Sequence, residues 1–383
     1  MIHKTIIRPG EPGYRQCTVT IMDTTDPDIS FDDAGVSNWV YYFREKVLPN
    51  WNPNGNPVAF ETLIKRIKED GKGKDYDCAL GLSGGVDSSY LAYIAKKEGL
   101  RPLVVHTDAG WNSDIAVRNI ERIVKTCGFD LFTLVIDWDE MSDLQRAFLR
   151  AGVPNQDIPQ DHVIYAAFYG LAAKHRIKWV LSGQNYACES ILPPAWGHNA
   201  KDLRHLTAIH RRFGERPLGN FPLMSLARYG FLYRFLGRMQ VAKPLDLLPY
   251  TKMEAMHILE REFGWQYYGG KHFESRWTRF FQGWWLPTRF GYDKRLAHLS
   301  SLIMSGQMTR EAALLEMKLE YYTQSMMEED RDLVLKKLEI SRKEWDEILA
   351  APLHSHSEYP TSGWLTKSLN VGVDALRWMG CLR

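Results

Sequence analysis

One short stretch constrains the fold more than any other part of the chain. It runs from Cys78 to Ser89 and reads CALGLSGGVDSS. Its apolar start indicates a buried strand, the paired glycines indicate a tight turn, and the serines begin a helix. Adjacent glycines let the backbone approach a ligand closely. The free N–H groups of the helix N-terminus and the nearby hydroxyls therefore predict an anion-binding cradle.

A polyphosphate fits this cradle, with Asp87 holding a Mg²⁺ ion against it. A Walker loop is excluded, because Gly-Lys-Ser/Thr is absent and no lysine closes the turn. We expect the three serine hydroxyls to face outward; the less specific alternative is an ordinary Gly-rich turn. The predicted phosphate-binding residues are Ser83, Gly84, Gly85, Val86, Asp87, Ser88 and Ser89.

Composition narrows the class of protein further. The chain has 383 residues, 45% of them hydrophobic, with 13 tryptophans and a net charge of +2. This indicates one large α/β domain with additions, or two domains, and gives no general sign of nucleic-acid or membrane binding. The five cysteines are scattered, and neither a signal peptide nor a membrane-spanning run is evident. We expect a reduced, cytoplasmic protein without a membrane partner.

The chain around the loop alternates strand and helix signals. Short apolar runs separated by amphipathic stretches predict a doubly wound parallel sheet, with its ligand at the carboxyl ends of the strands. The predicted strands are residues 77–82, 102–107, 132–137 and 178–182.

Composition also predicts three regions. These are an irregular N-terminal region (1–70), the α/β domain (71–290) and a helical C-terminal region (291–383), the last with helices at 294–305, 309–326 and 328–337. A basic insertion (190–243) interleaves aromatic residues with lysine and arginine. It predicts binding of an anionic nucleotide-sugar diphosphate, contact with RNA phosphates, or a merely solvated or partner-facing surface.

The string SGGVDSS resembles the signature of the PP-loop ATP pyrophosphatases, which include the asparagine, GMP and NAD synthetases and the tRNA-thiolation enzymes. The resemblance implies that ATP is cleaved between its α and β phosphates and that AMP passes to a substrate oxygen.

The same resemblance assigns residues beyond the loop. In such folds the end of the second strand borders adenine, which implies ATP binding by His106, Thr107 and Asp108; an ordinary loop role is the alternative for each of them. The later turn at Gly183 and Gln184 would border ATP or the activated substrate.

The segment that opens the next helix carries two carboxylates, Asp157 and Asp161. Asp161 is a candidate second Mg²⁺ ligand. Helix capping is the alternative role for both residues.

A narrower resemblance rests on MDTTDPDI (22–29) and GGKHFESRWTRFFQ (269–282). Both are similar to blocks of the N-acetyl sugar amidotransferases of bacterial surface-polysaccharide synthesis. That family carries four cysteines near its N-terminus, but here Cys17 is followed by Thr20, Ser37 and Val40 at the other three positions. One thiolate cannot form a tetrahedral zinc site. We therefore predict no structural zinc, with Trp39 and Val40 packed in its place.

The second block suggests catalytic side chains. Lys271 would neutralise charge on pyrophosphate or on the adenylate, Glu274 would order Lys271 or orient ammonia, and Arg279 would bind a phosphate. An ordinary ion pair on a helix surface is the alternative for each of them.

The reaction implied by this resemblance converts the N-acetyl group of a UDP-N-acetyl sugar into an acetamidino group, for O-antigen or other lipopolysaccharide synthesis. ATP and Mg²⁺ are the implied cofactors. The sequence shows no glutaminase nucleophile, so the resemblance implies ammonia from a separate glutaminase assembly similar to the imidazole-glycerol-phosphate synthase pair. The alternatives are an RNA-modifying enzyme of the thiolation type, although no CxxC pair is present and nucleic acid is not expected, and a non-catalytic nucleotide-binding regulator.

Overall fold

The structure is a computed structural model and describes residues 6–363. Its centre is a sheet of five strands: β1 (Cys78–Gly81), β2 (Pro102–Asp108), β3 (Asp130–Val135), β4 (Trp179–Leu181) and β5 (Gln240–Ala242). Every neighbouring pair is parallel, and the spatial order is β3-β2-β1-β4-β5. Leu80 of β1 lies opposite Val104 on one side and Leu181 on the other. The predicted doubly wound parallel sheet is confirmed.

Both faces of the inner strands are covered, which explains why these strands read as continuous apolar runs. Leu80 packs in one core with Leu91, while the adjacent Ala79 packs on the opposite face with Ala172. The four predicted strands lie within two residues of the observed ones. β5, which falls inside the predicted basic insertion, was not predicted, because three residues carry almost no periodicity.

The α-helices of the α/β region lie before, between and after these strands. They are α1 (Asn38–Tyr42), α2 (Pro57–Asp70), α3 (Val86–Lys97), α4 (Asp114–Cys127), α5 (Trp138–Ala151), α6 (Ile158–Lys174), α7 (Tyr186–Glu189), α8 (Leu203–Phe213) and α9 (Lys252–Phe263). Capping fixes several of their ends. Ser113 accepts a hydrogen bond from the Ala116 N–H at the start of α4, and Gly128 ends that helix with φ 68°.

The rest of the chain is helical. It comprises α10 (Arg276–Phe280), α11 (Lys294–Met304), α12 (Arg310–Glu316), α13 (Gln324–Lys337) and α14 (Arg342–Ala350). Along the described chain there are also π-helical segments at Phe43–Val47, Arg228–Leu236 and Phe281–Phe290. Short 3₁₀ turns lie at Leu48–Asn50, Pro194–Trp196, Pro244–Leu247 and His356–Glu358.

The predicted helix over 309–326 is wrong. It ends at Glu316, and α13 begins after Thr323, whose side chain accepts from the Met326 N–H. Between the two helices, Tyr322 packs against Gly283 and donates to Asp330 at 3.0 Å. Those contacts hold the connecting segment outside a regular helix. The proposed division into three regions remains a prediction, and residues 364–383 of the third lie outside the described range.

The fold brings two helix N-termini to one edge of the sheet. α3 follows β1 and α6 precedes β4, so both helices begin at the carboxyl edge, and they pack on opposite faces of the sheet. The strand order reverses between β1 and β4. In open α/β sheets the ligand binds in the crevice at this point.

The N-terminal segment closes around Cys17. Its sulfur accepts hydrogen bonds from the backbone N–H groups of Thr20 (3.4 Å) and Ser37 (3.3 Å), and all three side chains are fully buried. Trp39 and Val40 are buried beside them, as predicted. Hydrogen bonds to the single sulfur of Cys17 thus hold together the segment in which the resembled family has four cysteines. That the protein carries no zinc remains a prediction.

The edge strand β3 differs from its neighbours. Leu131, Phe132 and Val135 are 38%, 41% and 71% exposed, although successive side chains of a strand point to opposite faces. Both faces of β3 therefore present apolar side chains to solvent. Among the described helices, none is both long and apolar enough to cross a bilayer.

Candidate active site

The turn after β1 is tightly packed at both of its glycines. Gly84 has φ +79°, and a Cβ there would lie 2.6 Å from the Ala116 carbonyl oxygen at the start of α4. A Cβ on Gly85 would lie 3.1 Å from Oε1 of Glu274. The loop is therefore held between α4 and the segment that carries Glu274. A side chain at position 84 would push the loop away from α4, whereas one at position 85 would have to displace the end of the Glu274 side chain.

The loop serines divide into two groups. Ser83 and Ser88 lie at the loop surface with their hydroxyl oxygens 3.1 Å apart, and Ser83 Oγ accepts from the Gly85 N–H at 3.2 Å. Ser89 and Val86 are buried. Ser89 therefore does not face outward as expected, and its hydroxyl has no partner among the described residues. The hydroxyls available to a phosphate are those of Ser83 and Ser88.

Asp87 stands at the start of α3, and its Oδ1 is already engaged. That oxygen accepts hydrogen bonds from the Tyr250 hydroxyl at 2.6 Å and from Asn185 Nδ2 at 3.1 Å. Burial raises the pKa of Asp87, and the nearby Glu189 carboxylate raises it further, while Lys271 acts in the opposite direction. The two hydrogen bonds fix the carboxyl group, and among residues 6–363 none donates to Oδ2, which leaves it available to a ligand.

Lys271 lies at the centre of the site. Its Nζ is 3.1 Å from Glu189 Oε1 and 3.1 Å from His298 Nδ1. Burial disfavours the ammonium, but the charges of Glu189 and Asp87 outweigh burial and raise the pKa of Lys271. Burial also opposes ionisation of Glu189, whose pKa is nevertheless lowered because Lys271 is adjacent. Both groups of the pair are therefore charged at neutral pH.

The imidazole of His298 is held in one neutral form. A lysine ammonium only donates, so Nδ1 accepts from Lys271 and the neutral ring carries its proton on Nε2. Burial, followed by the Lys271 charge, holds the pKa of His298 well below its usual range. Its Nε2 has no partner within residues 6–363.

The segment 265–274 closes over the loop. Trp265 Nε1 donates to the Gly84 carbonyl at 3.0 Å, and the Val86 N–H donates to the Tyr268 hydroxyl at 3.3 Å. Glu274 lies beside Gly85, with His272 Nδ1 3.7 Å from its Oε1. Burial opposes ionisation of Glu274, but His272 lowers its pKa. The loop and the predicted second block thus form one site.

The residues predicted to border adenine lie at the end of β2. His106 Nδ1 lies 2.9 Å from the Leu82 carbonyl, which joins β2 to the start of the loop, and its Nε2 lies 3.1 Å from Asn112 Nδ2. Thr107 follows in the strand, and Asp108 borders a cavity of about 350 Å³ whose far wall includes Lys337. Contact of these residues with adenine remains a prediction.

The later Gly turn approaches the loop closely. A Cβ on Gly183 would lie 3.2 Å from the Asp87 carbonyl carbon, so this position admits little more than glycine. Next to it, the Gln184 N–H donates to Ser182 Oγ at 3.3 Å. The turn therefore borders the loop, as expected, although its contact with ATP is untested.

Arg279 lies apart from the loop in a structural ion pair. Its Nε and Nη2 are each 2.7 Å from a carboxylate oxygen of Asp330, which is fully buried and also lies 2.5 Å from Arg276 Nε. This network joins α10 to α13. Its phosphate-binding role remains a prediction, and the contact observed is structural.

The second predicted Mg²⁺ ligand, Asp161, belongs to a separate group of side chains on and beside α6. Burial raises the pKa of Asp161 to about 7, and the Asp157 carboxylate contributes. Asp157 makes no capping bond; it accepts instead from Thr278 Oγ1 at 3.1 Å and Gln282 Nε2 at 3.5 Å. We call this group the α6 cluster; it consists of Asp157, Asp161, Tyr165, Lys201 and Lys294.

Several site residues carried no decisive signal in the sequence. Glu189 and Asn185 follow the turn after β4, and this position at a carboxyl edge was the available clue. Tyr250 directly precedes the cap of α9, and His298 lies within α11, so the sequence patterns around them indicated only secondary structure. Their roles depend on tertiary contacts with Asp87 and Lys271.

The residues present fit a Mg²⁺ ion held mainly by its substrate. Asp87 has a free carboxylate oxygen, and Glu189 lies close enough to affect its pKa. Within residues 6–363, no group of three or more His, Cys, Asp or Glu side chains is placed to hold a metal. Mg²⁺ commonly uses one or two carboxylates plus phosphate oxygens and water, so this arrangement suits it.

Two family models match this chain. The asparagine synthase model matches residues 73–185, and the model of the C-terminal domain of WbpG-like lipopolysaccharide (LPS) biosynthesis proteins matches residues 274–370. The first contains the loop and Asn185, and the second contains Glu274 and His298. The two matches support the family resemblance predicted from the sequence, and with it an enzyme of the ATP-dependent amidotransferase type.

Three solved structures are similar over parts of their length. U34-tRNA thiolase NcsA from Methanococcus maripaludis is 14% identical, with 74% of this chain and 82% of that chain covered and a TM-score of 0.31. NH3-dependent NAD synthetase from Campylobacter jejuni is 16% identical, with 53% and 82% covered and a TM-score of 0.28. A predicted subunit of tRNA methyltransferase from Methanocaldococcus jannaschii is 17% identical, with 48% and 75% covered and a TM-score of 0.28.

These similarities bear on neither activity nor substrate, because the TM-scores and identities are low. No curated protein matches the chain significantly.

Proposed function

We propose that this chain, which matches the asparagine synthase model and the WbpG-like C-terminal model over separate segments, converts the N-acetyl group of a nucleotide-linked sugar into an acetamidino group. One observation carries the proposal. The phosphate-binding loop and the GGKHFES segment, about 180 residues apart in sequence, meet in one site. Lys271 and Glu189 lie there beside Asp87.

The reaction has two steps. The acetamido oxygen attacks the α-phosphorus of ATP, so a P–O bond forms to AMP and the bond to pyrophosphate breaks. Ammonia then attacks the imidate carbon, and AMP departs with the former acetamido oxygen. The nitrogen loses a proton and the product is the amidine. Activation is necessary because an amide oxygen is a poor leaving group.

The side chains of the site suit the first step. The hydroxyls of Ser83 and Ser88 can donate to the negative phosphates, and so can the N–H groups at the start of α3 other than that of Val86, which donates to Tyr268. Lys271 holds a positive charge where negative charge develops on the leaving pyrophosphate. A bound Mg²⁺ at Asp87 would supply additional charge neutralisation. Glu189 keeps Lys271 charged and oriented through their 3.1 Å contact.

Ammonia is the second substrate in this proposal, delivered by a separate glutaminase partner. LPS or O-antigen synthesis is the biological context that we propose. A second candidate, RNA modification of the thiolation type, is favoured by one observation. The π-helical segment Arg228–Leu236 and its surroundings expose Arg228, Arg234 and Arg238. Exposed arginines are typical of phosphate-binding surfaces.

Release of pyrophosphate from ATP tests the proposal. The full chain is incubated with ATP, Mg²⁺ and ammonia, and with either a panel of UDP-N-acetyl sugars or bulk tRNA. We expect release that depends on a sugar, and a product that mass spectrometry identifies as the amidine. Release that depends on tRNA would support the second candidate, and no release under either condition would contradict both.

Asp87→Ala supplies the matched inactive variant. We expect it to abolish pyrophosphate release without loss of the circular-dichroism spectrum, because it removes a carboxylate at the loop. Asp346→Ala, which alters an exposed carboxylate on α14, is the control and should retain full activity. Normal turnover by Asp87→Ala would remove the loop from the mechanism.

A further inference from the structure

The α6 cluster gathers charged side chains from separate parts of the chain onto one face of a helix. Asp157, Asp161 and Tyr165 follow one another at intervals of four residues and therefore lie along one side of α6. Lys294 is the first residue of α11, and Lys201 precedes α8. Both lysines contribute to the electrostatics of Asp161.

The oppositely charged side chains of the cluster do not form direct ion pairs with one another. Within residues 6–363, neither lysine forms an ion pair with Asp157 or Asp161 at the 4.0 Å limit, and the Asp161 carboxylate accepts no side-chain hydrogen bond. Enclosed charges ordinarily pair directly, since isolated ones are costly. Here each ammonium stays more than 4.0 Å from both carboxyl groups among the described residues.

The lysines rest on aromatic rings instead. The Lys201 Nζ lies 4.1 Å from the ring centroid of Tyr165 and 5.2 Å from that of Tyr229, and the Lys294 Nζ lies 5.5 Å from that of Phe281. Cation–π contacts of this kind hold each ammonium in place without neutralising it. In the described part of the chain, both ammonium groups therefore keep their hydrogen-bond donors free.

The cluster adjoins the active site. The Glu189 carboxylate affects the pKa of both Tyr165 and Lys294, and Lys271 also acts on Lys294. Glu189 and Lys271 thus act electrostatically both on Asp87 of the loop and on Lys294 of the cluster. A molecule bound in the cluster would reach the loop across these two side chains.

The mixture of charges limits what can bind there. Two carboxylates repel a phosphate group, and two ammonium groups repel a cation. A neutral ring with several hydroxyls suits both kinds of group, because its hydroxyl hydrogens are donated to the carboxylates and its oxygens accept from the lysines.

We propose that the α6 cluster binds the pyranose ring of the nucleotide-linked sugar and directs its acetamido group across Glu189 and Lys271 toward the loop. This inference rests on the function proposed above, and it assigns the sugar ring to residues that lie apart from the ATP loop.

Binding experiments separate the ring from the nucleotide. The probes are UDP and the UDP-N-acetyl sugar that supports most pyrophosphate release, titrated calorimetrically into the full chain. We expect Asp161→Asn and Lys294→Met each to weaken binding of the UDP-sugar about tenfold or more, the loss expected for one charge-assisted hydrogen bond. Affinity for UDP should be unchanged, and so should the KM for ATP.

Matched controls are Asp346→Asn and Lys125→Met, which alter exposed residues outside the site and should bind like the parent chain. Thermal unfolding of each variant identifies any that fail to fold, and the two cluster variants are judged independently.

Three results would overturn the inference. Equal loss of affinity for UDP and for the UDP-sugar would assign the cluster to the nucleotide. A raised KM for ATP would assign it to the loop site. Unchanged binding of the UDP-sugar in both variants would exclude the cluster from the sugar site while leaving the proposed function intact, whereas absence of any sugar-dependent turnover in the parent chain would contradict the proposed function itself.

Discussion

At the scale of single residues, the charge on Lys271 is what the site depends on most. Glu189 and Asp87 raise its pKa, so it is an ammonium throughout the neutral range. Lys271→Met should lower kcat for pyrophosphate release about 10²- to 10³-fold, the effect typical of removing one group that stabilises a transition state. Lys125→Met is the control. A change in KM alone would show that Lys271 binds substrate without assisting bond cleavage.

The ionised side chain of Asp161 is proposed to aid ligand binding, but its burial should lower the stability of the folded protein. Its pKa is raised from 3.8 to about 7 by burial and by Asp157, partly offset by Lys294 and Lys201. The folded state therefore binds the proton more tightly than the unfolded state, and the free energy of unfolding falls as pH rises through that window.

Asp161→Asn removes this loss, because an amide does not ionise. We expect the variant to be more stable than the parent chain above pH 7 by up to about 4 kcal/mol, since each pKa unit of the rise from 3.8 to about 7 corresponds to about 1.4 kcal/mol, and to match it below pH 3.8. Urea unfolding at both pH values measures the difference. Asp346→Asn should show no such dependence, and a parallel profile for Asp161→Asn would show that the native pKa is not raised.

At the scale of elements, Asp330 joins the C-terminal helices to the site. Its fully buried carboxylate accepts from Arg276, Arg279 and Tyr322, which fixes α10 against α13. Removing one partner of a buried ion pair leaves the others uncompensated. Asp330→Ala should therefore destabilise the protein by about 3–5 kcal/mol in chemical denaturation. A loss as small as that of the exposed control Asp346→Ala would show that the network adds little.

The N-terminal element predicts independence from zinc. Cys17 already accepts two backbone hydrogen bonds, and Thr20, Ser37 and Val40 supply no further thiolate. Metal analysis of the purified chain should find no stoichiometric zinc, and EDTA should leave the midpoint of thermal unfolding unchanged. Zinc that copurifies in a one-to-one ratio and is lost together with stability on chelation would contradict this.

At the scale of the whole molecule, the sheet and the loop were predictable because their signals are local. The apolar runs and the strand–turn–helix pattern lie within about a dozen residues each, and Gly84 has the positive φ that a tight turn favours in glycine. The positions of His298, Tyr250 and Glu189 were not predictable. Each acquires its role from partners more than 25 residues away.

The same distinction between local and long-range signals explains why the surroundings of Ser89 and Arg279 differ from those expected. Ser89 shares the composition of the loop, but helical periodicity turns it into the core. Arg279 lies in a block that suggested phosphate binding, yet a carboxylate on a later helix holds it. Sequence spacing shows which residues share a helix turn, whereas long-range contacts decide which of them reach a ligand.

The exposed edge strand β3 should affect how the protein behaves in concentrated solution. Inner strands of parallel sheets are apolar on both faces, and β3 has that composition although nothing in the described chain pairs with its outer edge. An unpaired, apolar edge without lysine or proline is a template for further strand addition. Self-association should therefore begin at this edge, and the charge of Asp130 is the strand's own obstacle to it.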